Sequence, residues 1–328
     1  MSKQEVIRKI VGEPVSPQKP SGHGRAPANI ALVKYWGKRN DELNLPVTSS
    51  LSISLGDLGT DTSAETAEQD EFLLNGRPVP ADTAFARRLR DYLDLFRPHP
   101  DAGFKVITHN SIPTAAGLAS SASGYAALAI ALDDLFGWQL DRRALSILAR
   151  LGSGSASRSV YGGFAEWHVG KQDDGMDSFA ELLEATWPDL RIGLVKISVA
   201  EKSVSSRRAM KQTVDTATLY RAWPDQVATD LVKGRDAITS RDFERLGATA
   251  ENNALAMHAT SIATWPPTLF WLPESVKMMH KVWELRGEGM PLYFTMDAGP
   301  NLKLLTTSTH VDAVNHAIHN IEWVTPFL

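Results

Sequence analysis

Five stretches of this 328-residue chain concentrate side chains that handle anions and protons. The most informative runs Pro113-Thr114-Ala115-Ala116-Gly117-Leu118-Ala119-Ser120-Ser121-Ala122-Ser123-Gly124, and an apolar helical pattern, Tyr125 to Leu135, follows at once. Small side chains let a ligand approach the backbone. A helix start adds unpaired N–H groups and the positive end of a dipole. Together these make a phosphate site, although the same composition suits a tight turn and a helix cap. The loop carries no Lys, so it is not the G-x-x-x-x-G-K-[ST] loop of the common NTPases. Its neutralising cation must come from elsewhere in the chain.

The other four stretches offer such cations and one acid. Lys34 lies in the apolar run Ala28 to Trp36. A buried ammonium is costly without an anion, so Lys34 needs a carboxylate or a phosphate, as a structural ion pair or as part of a site. Tyr35 and Lys38 would flank the same anion. Gly152 to Gly163 holds Ser153, Ser155 and Arg158. It fits neither the dinucleotide fingerprint, because Ser157 replaces the third Gly, nor a G-x-S-x-G elbow. What remains is hydroxyls with one guanidinium fork suited to a carboxylate or phosphate, or a solvated turn. Lys202 to Arg208 adds hydroxyls beside positive charge, including Ser206 and Arg207, and reads equally as a helix cap with surface arginines. In Thr295 to Asn301, Asp297 ends a strand and precedes Gly299-Pro300, a stiff turn. Such an Asp is a base, a metal ligand or a cap of its own turn.

Composition narrows the classes. A 43% hydrophobic content suits a folded globular protein of two domains or one large one. The net charge of −4 gives no global basic field for nucleic acid or an anionic membrane, so any anion is bound by focused local charge. The absence of Cys excludes disulfides, thiolate catalysis and cysteine-ligated metals, and fits a reducing cytoplasm. The nine His lack metal-ligand spacing. No targeting segment or membrane-length apolar run is expected.

The elements that position these residues mix strand and helix throughout, an α+β pattern. Strands are expected at 28–36, 51–55, 104–108, 163–169, 191–199 and 292–296, with a hairpin at Phe72 to Gly76. Helices are expected at 84–96, 125–135, 144–151, 179–185, 205–220, 225–238, 241–257, 274–286 and 309–320. Residues 1–22 read as a flexible leader, and longer helices after about 190 suggest a boundary there. The resulting division is 23–190 and 191–328.

In this order and spacing, the Lys34-to-Lys38 stretch, the Pro113-to-Ser121 loop, Gly152 to Gly163, Val204-Ser205-Ser206-Arg207 and Asp297 to Asn301 resemble the diphosphomevalonate decarboxylase family of the GHMP kinase superfamily. The resemblance runs from about Arg25 to the C-terminus. It implies an N-terminal ribosomal-protein-like α+β domain that binds ATP, a C-terminal ferredoxin-like α+β domain, and an active site between them. It further implies ATP with Mg2+ as cofactors, a homodimer, and a reaction. The C3 hydroxyl of (R)-5-diphosphomevalonate is phosphorylated, and phosphate and CO2 then leave. By position, Asp297 would accept or orient the hydroxyl proton, and Lys34 would neutralise the transferring phosphoryl group or hold Asp297 ionised. Arg158 would bind the C1 carboxylate. Tyr35, Lys38, Ser155, Ser206 and Arg207 would grip the diphosphate, with Ser153 nearby. Pro113, Ala116, Gly117, Leu118, Ala119, Ser120 and Ser121 would hold ATP, Ser121 the metal as well, and Asn110 would lie near adenine. A kinase without decarboxylation, a decarboxylase of the 5-phosphate, and a nucleotide-binding regulatory module are the competing expectations.

Overall fold

The computed structural model describes residues 1–13, 15–112, 120–200 and 204–327, with only the backbone of Ser120. The first half is built on one long antiparallel pair. Strand β1 (Ser21–Val33) lies against a strand of eighteen residues, running Ser50–Ala67. Between them a small hairpin, β2 (Lys38–Asn40) and β3 (Leu45–Pro46), turns the chain; the long strand is β4. β7 (Gly103–Asn110) pairs with Thr60–Ala67 of β4, with β5 (Glu71–Leu74) and then β6 (Arg77–Pro78) beyond it, and β8 (Phe164–Trp167) pairs with Ser50–Ile53 at the other end of β4, with β9 (Ala180–Leu182) beyond it. The β5–β6 connection is the expected hairpin, with both Asn75 and Gly76 at positive φ.

Small residues at alternate positions of β1 explain how this sheet meets its helices. Gly22, Gly24, Ala26 and Ala28 all face inward. After helices α1 (Lys3–Val11) and α2 (Ala84–Leu93), α3 (Ser120–Phe136) lies on that face. A Cβ on Gly22 would come within 2.1 Å of the Ala131 carbonyl oxygen, and one on Gly24 within 2.1 Å of that of Ala127. Strand and helix therefore touch backbone to backbone. They run antiparallel, which aims the first turn of α3 toward the Lys34 end of β1. Helix α4 (Arg142–Gly152) packs beside α3 and leads into a 3-10 turn at Gly154–Ser157.

The second half carries an antiparallel sheet ordered β11-β12-β10-β13: β10 (Leu190–Val195), β11 (Tyr293–Met296), β12 (Leu302–Thr307) and β13 (Ile321–Val324). Four long helices precede β11: α5 (Ser206–Thr216), α6 (Trp223–Ser240), α7 (Phe243–Ile262) and α8 (Pro273–Gly287); α9 (Val311–Ala317) precedes β13. Helix α7 touches both β11 and β1. One apolar cluster joins the halves, containing Ile30, Leu32 and Val33 together with Leu231, Leu246 and Met257.

Four sequence-based expectations are corrected. Residues 3–11 are not part of a flexible leader: Ser2 and Glu5 form a capping box, and Val6 and Ile7 are buried. The first strand spans 21–33, so Lys34 follows its end rather than sitting inside it. The expected helix at 179–185 is edge strand β9, where Ala180 pairs with Trp167 and sheet pairing overrides helical propensity. The closing helix stops at Ala317, and Ile321–Val324 completes the second sheet against β10.

Candidate active site

Asp297 emerges directly after β11, in a turn pinned from both sides. The Pro300 carbonyl accepts from Ser275 Oγ at 2.8 Å, and Asn301 Oδ1 accepts from the backbone N–H groups of Ile197 and Ser198 at 2.8 and 2.9 Å. Two buried ammonium groups take the carboxylate. Lys34 Nζ donates to Oδ1 at 3.0 Å, and Lys303 Nζ lies 3.2 Å from Oδ2. Lys34 is 2% exposed and Lys303 1%. The Asp297 side chain is 28% exposed, and it lines the cavity. Burial alone would raise its pKa; the two lysines more than reverse that and hold it well below the usual carboxylate range. Burial lowers Lys34 to about 8, against the opposing pull of Asp297. Its backbone N–H is fixed at 2.7 Å to Asn253 Oδ1, and its ammonium also donates to the Ala31 carbonyl.

Asp297 opens into a cavity of about 460 Å³. Five cations, Lys34, Lys38, Arg88, Arg158 and Arg207, line it against Asp297 as the single acidic side chain among the described residues. The local charge is thus opposite to that of the whole chain.

Arg158, 3% exposed, follows the 3-10 turn. It donates to Ser50 Oγ and, at 3.3–3.4 Å, to Asn29 Oδ1. No carboxylate among the described residues lies within salt-bridge distance of it. Burial lowers it to about 10, with Asp297 opposing the shift. A buried guanidinium so placed calls for an anion from outside the chain.

Lys38 donates to Asn44 Oδ1 at 2.7 Å and lies 3.7 Å from Asp41. Burial, reinforced by Arg207, lowers it to about 8. Asn44, at positive φ, donates in turn to the carbonyls ending α4. The Tyr35 ring meets Trp167 edge-on, and its buried hydroxyl has no partner among the described residues. Ser153 and Ser155 line the same wall, with their hydroxyls 3.4 Å apart. Ser205 caps α5 by accepting from Arg208 N–H, while Ser206 and Arg207 line the cavity. Both readings of that stretch hold, since the capping Ser205 lines the cavity as well.

Ser121 lines the cavity at the first turn of α3, and Asn110 lines it at the end of β7, as do Leu74, paired with Thr108 of the same strand, and Phe85. Pro113, Ala116, Gly117, Leu118 and Ala119 lie outside the described residues, as do the Ser120 side chain, Lys202 and Ser203. Sequence reasoning missed Lys303, Asn29, Ser50 and Asn44. Asn29, a polar residue in the run Ala28-Asn29-Ile30, carried a readable signal. Lys303 did not, because an isolated Lys in a strand reads as solvated.

Residues 26–180 match the diphosphomevalonate decarboxylase-like N-terminal domain, and residues 194–324 the mevalonate 5-diphosphate decarboxylase C-terminal domain. The diphosphomevalonate decarboxylase of Eremothecium gossypii is 38% identical over 304 residues, 85% of this chain and 76% of that protein. The mevalonate diphosphate decarboxylase structure from Staphylococcus aureus superposes with a TM-score of 0.88 at 41% identity, covering 93% of this chain and 95% of that one. A complex described as MDDEF with MVAPP, AMPPCP and magnesium superposes with a TM-score of 0.87 at 42% identity, covering 93% and 96%. Both halves of the sequence match the two domains of one enzyme, and the whole fold follows them: the chain belongs to the diphosphomevalonate decarboxylase family.

Proposed function

We propose that the chain converts (R)-5-diphosphomevalonate and ATP to isopentenyl diphosphate, ADP, phosphate and CO2. The observation that carries the reading is the clamped Asp297 sharing one cavity with the unpaired Arg158. Asp297 receives the C3 hydroxyl proton as its oxygen takes the γ-phosphoryl group of ATP. Phosphoryl transfer is governed by positioning and charge stabilisation, and Lys34 supplies a cation where charge gathers. When phosphate then leaves C3, the C1–C2 pair forms the new double bond and C1 departs as CO2. A cation on the carboxylate stabilises the ground state and so opposes that loss, which makes Arg158 a positioning group. Tyr35, Lys38, Ser153, Ser155, Ser206 and Arg207 hold the diphosphate, with the Tyr35 hydroxyl, partnerless among the described residues, and the charge surplus as support.

The Leu74, Phe85 and Asn110 end of the cavity suits a purine, and Ser121 at the start of α3 suits phosphate oxygens. Among the described residues no group of three acidic or His side chains fits a metal. A lone Ser hydroxyl fits Mg2+, which prefers phosphate oxygens and water to a protein cage. That ion, carried with ATP, supplies charge neutralisation on the phosphates. The complex with MVAPP, AMPPCP and magnesium supports both cofactors.

Residues 23–190 form the ATP-binding domain of this reading and 191–328 its partner domain. The enzyme acts in the cytoplasm as a homodimer. No helix among the described residues is long and apolar enough to cross a membrane. Exposed Trp265 (80%) and Leu269 offer apolar surface for a second copy. The reading is tested by incubating the protein with ATP, Mg2+ and mevalonate, its 5-phosphate or its 5-diphosphate. Equal release of ADP and CO2 with the diphosphate alone is expected. ADP without CO2 would make it a kinase, and CO2 from the monophosphate would move the substrate.

A further inference from the structure

We propose that Lys303 is the positioning residue for Asp297: its ammonium, set on the carboxylate oxygen that Lys34 leaves free, fixes the rotation of the carboxylate and keeps it ionised at the reacting hydroxyl. The proposal rests on the proton-accepting reading of Asp297 above.

Lys303 reaches Asp297 through the geometry of the second sheet. Strands β11 and β12 are antiparallel, with Thr295 opposite Lys303 and Met296 opposite Leu302. The Gly299-Pro300 turn folds Lys303 back beside the residue that ends β11. Its side chain is buried, and Lys303 is absent from the residues lining the cavity. It therefore acts through Asp297 and not on the substrate. One ammonium on one oxygen would leave the carboxylate free to turn about its Cβ–Cγ bond. One on each oxygen, at 3.0 and 3.2 Å, does not.

The other groups around the carboxylate do not duplicate this role. Lys34 belongs to the first half of the chain, beyond β1, and also donates to the Ala31 carbonyl. Arg158 interacts with Asp297 through space while its fork is held by Ser50 and Asn29. His258 on α7 is buried; burial, then Lys34, pushes it down to about 3, so it stays neutral over the working range. Two cations on one anion also leave a positive excess beside the carboxylate, where the transferring phosphoryl group would arrive.

The experiment compares wild type with Lys303→Met, Lys303→Arg, Asp297→Asn and the double variant Asp297→Asn/Lys303→Met. Coupled ADP and CO2 release is followed from pH 5.5 to 8.5, and binding of ATP and of 5-diphosphomevalonate is measured separately. For Lys303→Met, kcat should fall by about a hundredfold at pH 7.5, the scale of a misplaced reacting group. Both ligands should bind within about threefold of wild type. The deficit should grow toward pH 5.5, because a carboxylate stripped of one cation protonates at higher pH. Lys303→Arg keeps the charge, so it should lose some kcat with no steeper acid side. The double variant should be no slower than Asp297→Asn alone.

Wild-type turnover in Asp297→Asn would overturn the underlying reading of Asp297. A dead Asp297→Asn beside a Lys303→Met variant with normal kcat and an unchanged pH profile would overturn the role of Lys303 alone. Additive losses in the double variant would do the same. Should Lys303→Met fail to fold, Lys303→Arg carries the test: a steeper acid side with the charge retained refutes the proposal.

Discussion

Lys34 and Asp297 are separated by 263 positions in the chain and by 3.0 Å in space. The cation follows β1 in the first half and the anion follows β11 in the second, so their contact spans the junction between the two sheets. Helix α7 makes this possible. It touches both strands, and its Asn253 holds the Lys34 backbone.

Replacing Asp297 by Asn keeps the shape of the side chain and removes its capacity to take a proton. Turnover should fall by a factor of about a thousand or more. Nucleotide binding, measured by calorimetry, should persist. Near-normal release of ADP and CO2 would take Asp297 out of the mechanism.

The two depressed lysines predict an alkaline limit. Lys34 and Lys38 each lose a proton near pH 8, against an ordinary value of 10.5. The kcat/KM for the diphosphate should therefore decline above about pH 8. The decline in kcat should come at higher pH, since a bound anion stabilises both ammonium groups. Folding has the opposite sign. Between about 8 and 10.5 the unfolded chain binds more protons than the folded one, so these two groups make the fold more stable as pH rises. Activity lost at pH 9 should return on back-titration. A kcat/KM flat to pH 9.5 would show that neither charge is needed.

Arg158→Lys retains a positive charge but loses the planar fork that meets Ser50 and Asn29. The KM for the diphosphate should rise by about tenfold or more, the worth of one charged hydrogen bond. The KM for ATP should stay within about twofold. A pattern with the two constants exchanged would assign Arg158 to the nucleotide.

Gly24→Ala sets a methyl group 2.1 Å from the Ala127 carbonyl oxygen. Overpacking of this kind costs about 1–3 kcal/mol, a melting shift of about 1.5–4.5 °C downward for a chain of this length. Gly124→Ala, within α3 where no atom of the described residues outside the helix's own backbone stands within 4 Å, should instead gain about 0.5–1 kcal/mol. Equal melting temperatures for the two variants would contradict the backbone contact between β1 and α3.

Much of this was legible before any coordinates. Asn75-Gly76 named its own hairpin, and Met296-Asp297 followed by Gly299-Pro300 announced an acid held at a strand end. The long helices of the second half declared themselves by period. What escaped was decided by partners distant in sequence. Ala180–Leu182 is a strand only because β8 offers it an edge, and Ile321–Val324 only because β10 does. Lys303 looks like any alternating polar residue until the turn folds it onto Asp297. The helix at 3–11 differs: Ser2 and Glu5 carry its starting signal, but Pro14, Pro17 and Pro20 just beyond it give the whole terminus the composition of a loop.

The crowd of like charges facing one carboxylate has a practical corollary. Until substrate arrives, that repulsion is a standing strain, and small multivalent anions in the medium relieve it. Sulfate or pyrophosphate in a storage buffer should therefore act as a conformational ally, raising the melting temperature with concentration. The same salts should compete in an assay, so the conditions that best preserve this protein are those in which it looks slowest.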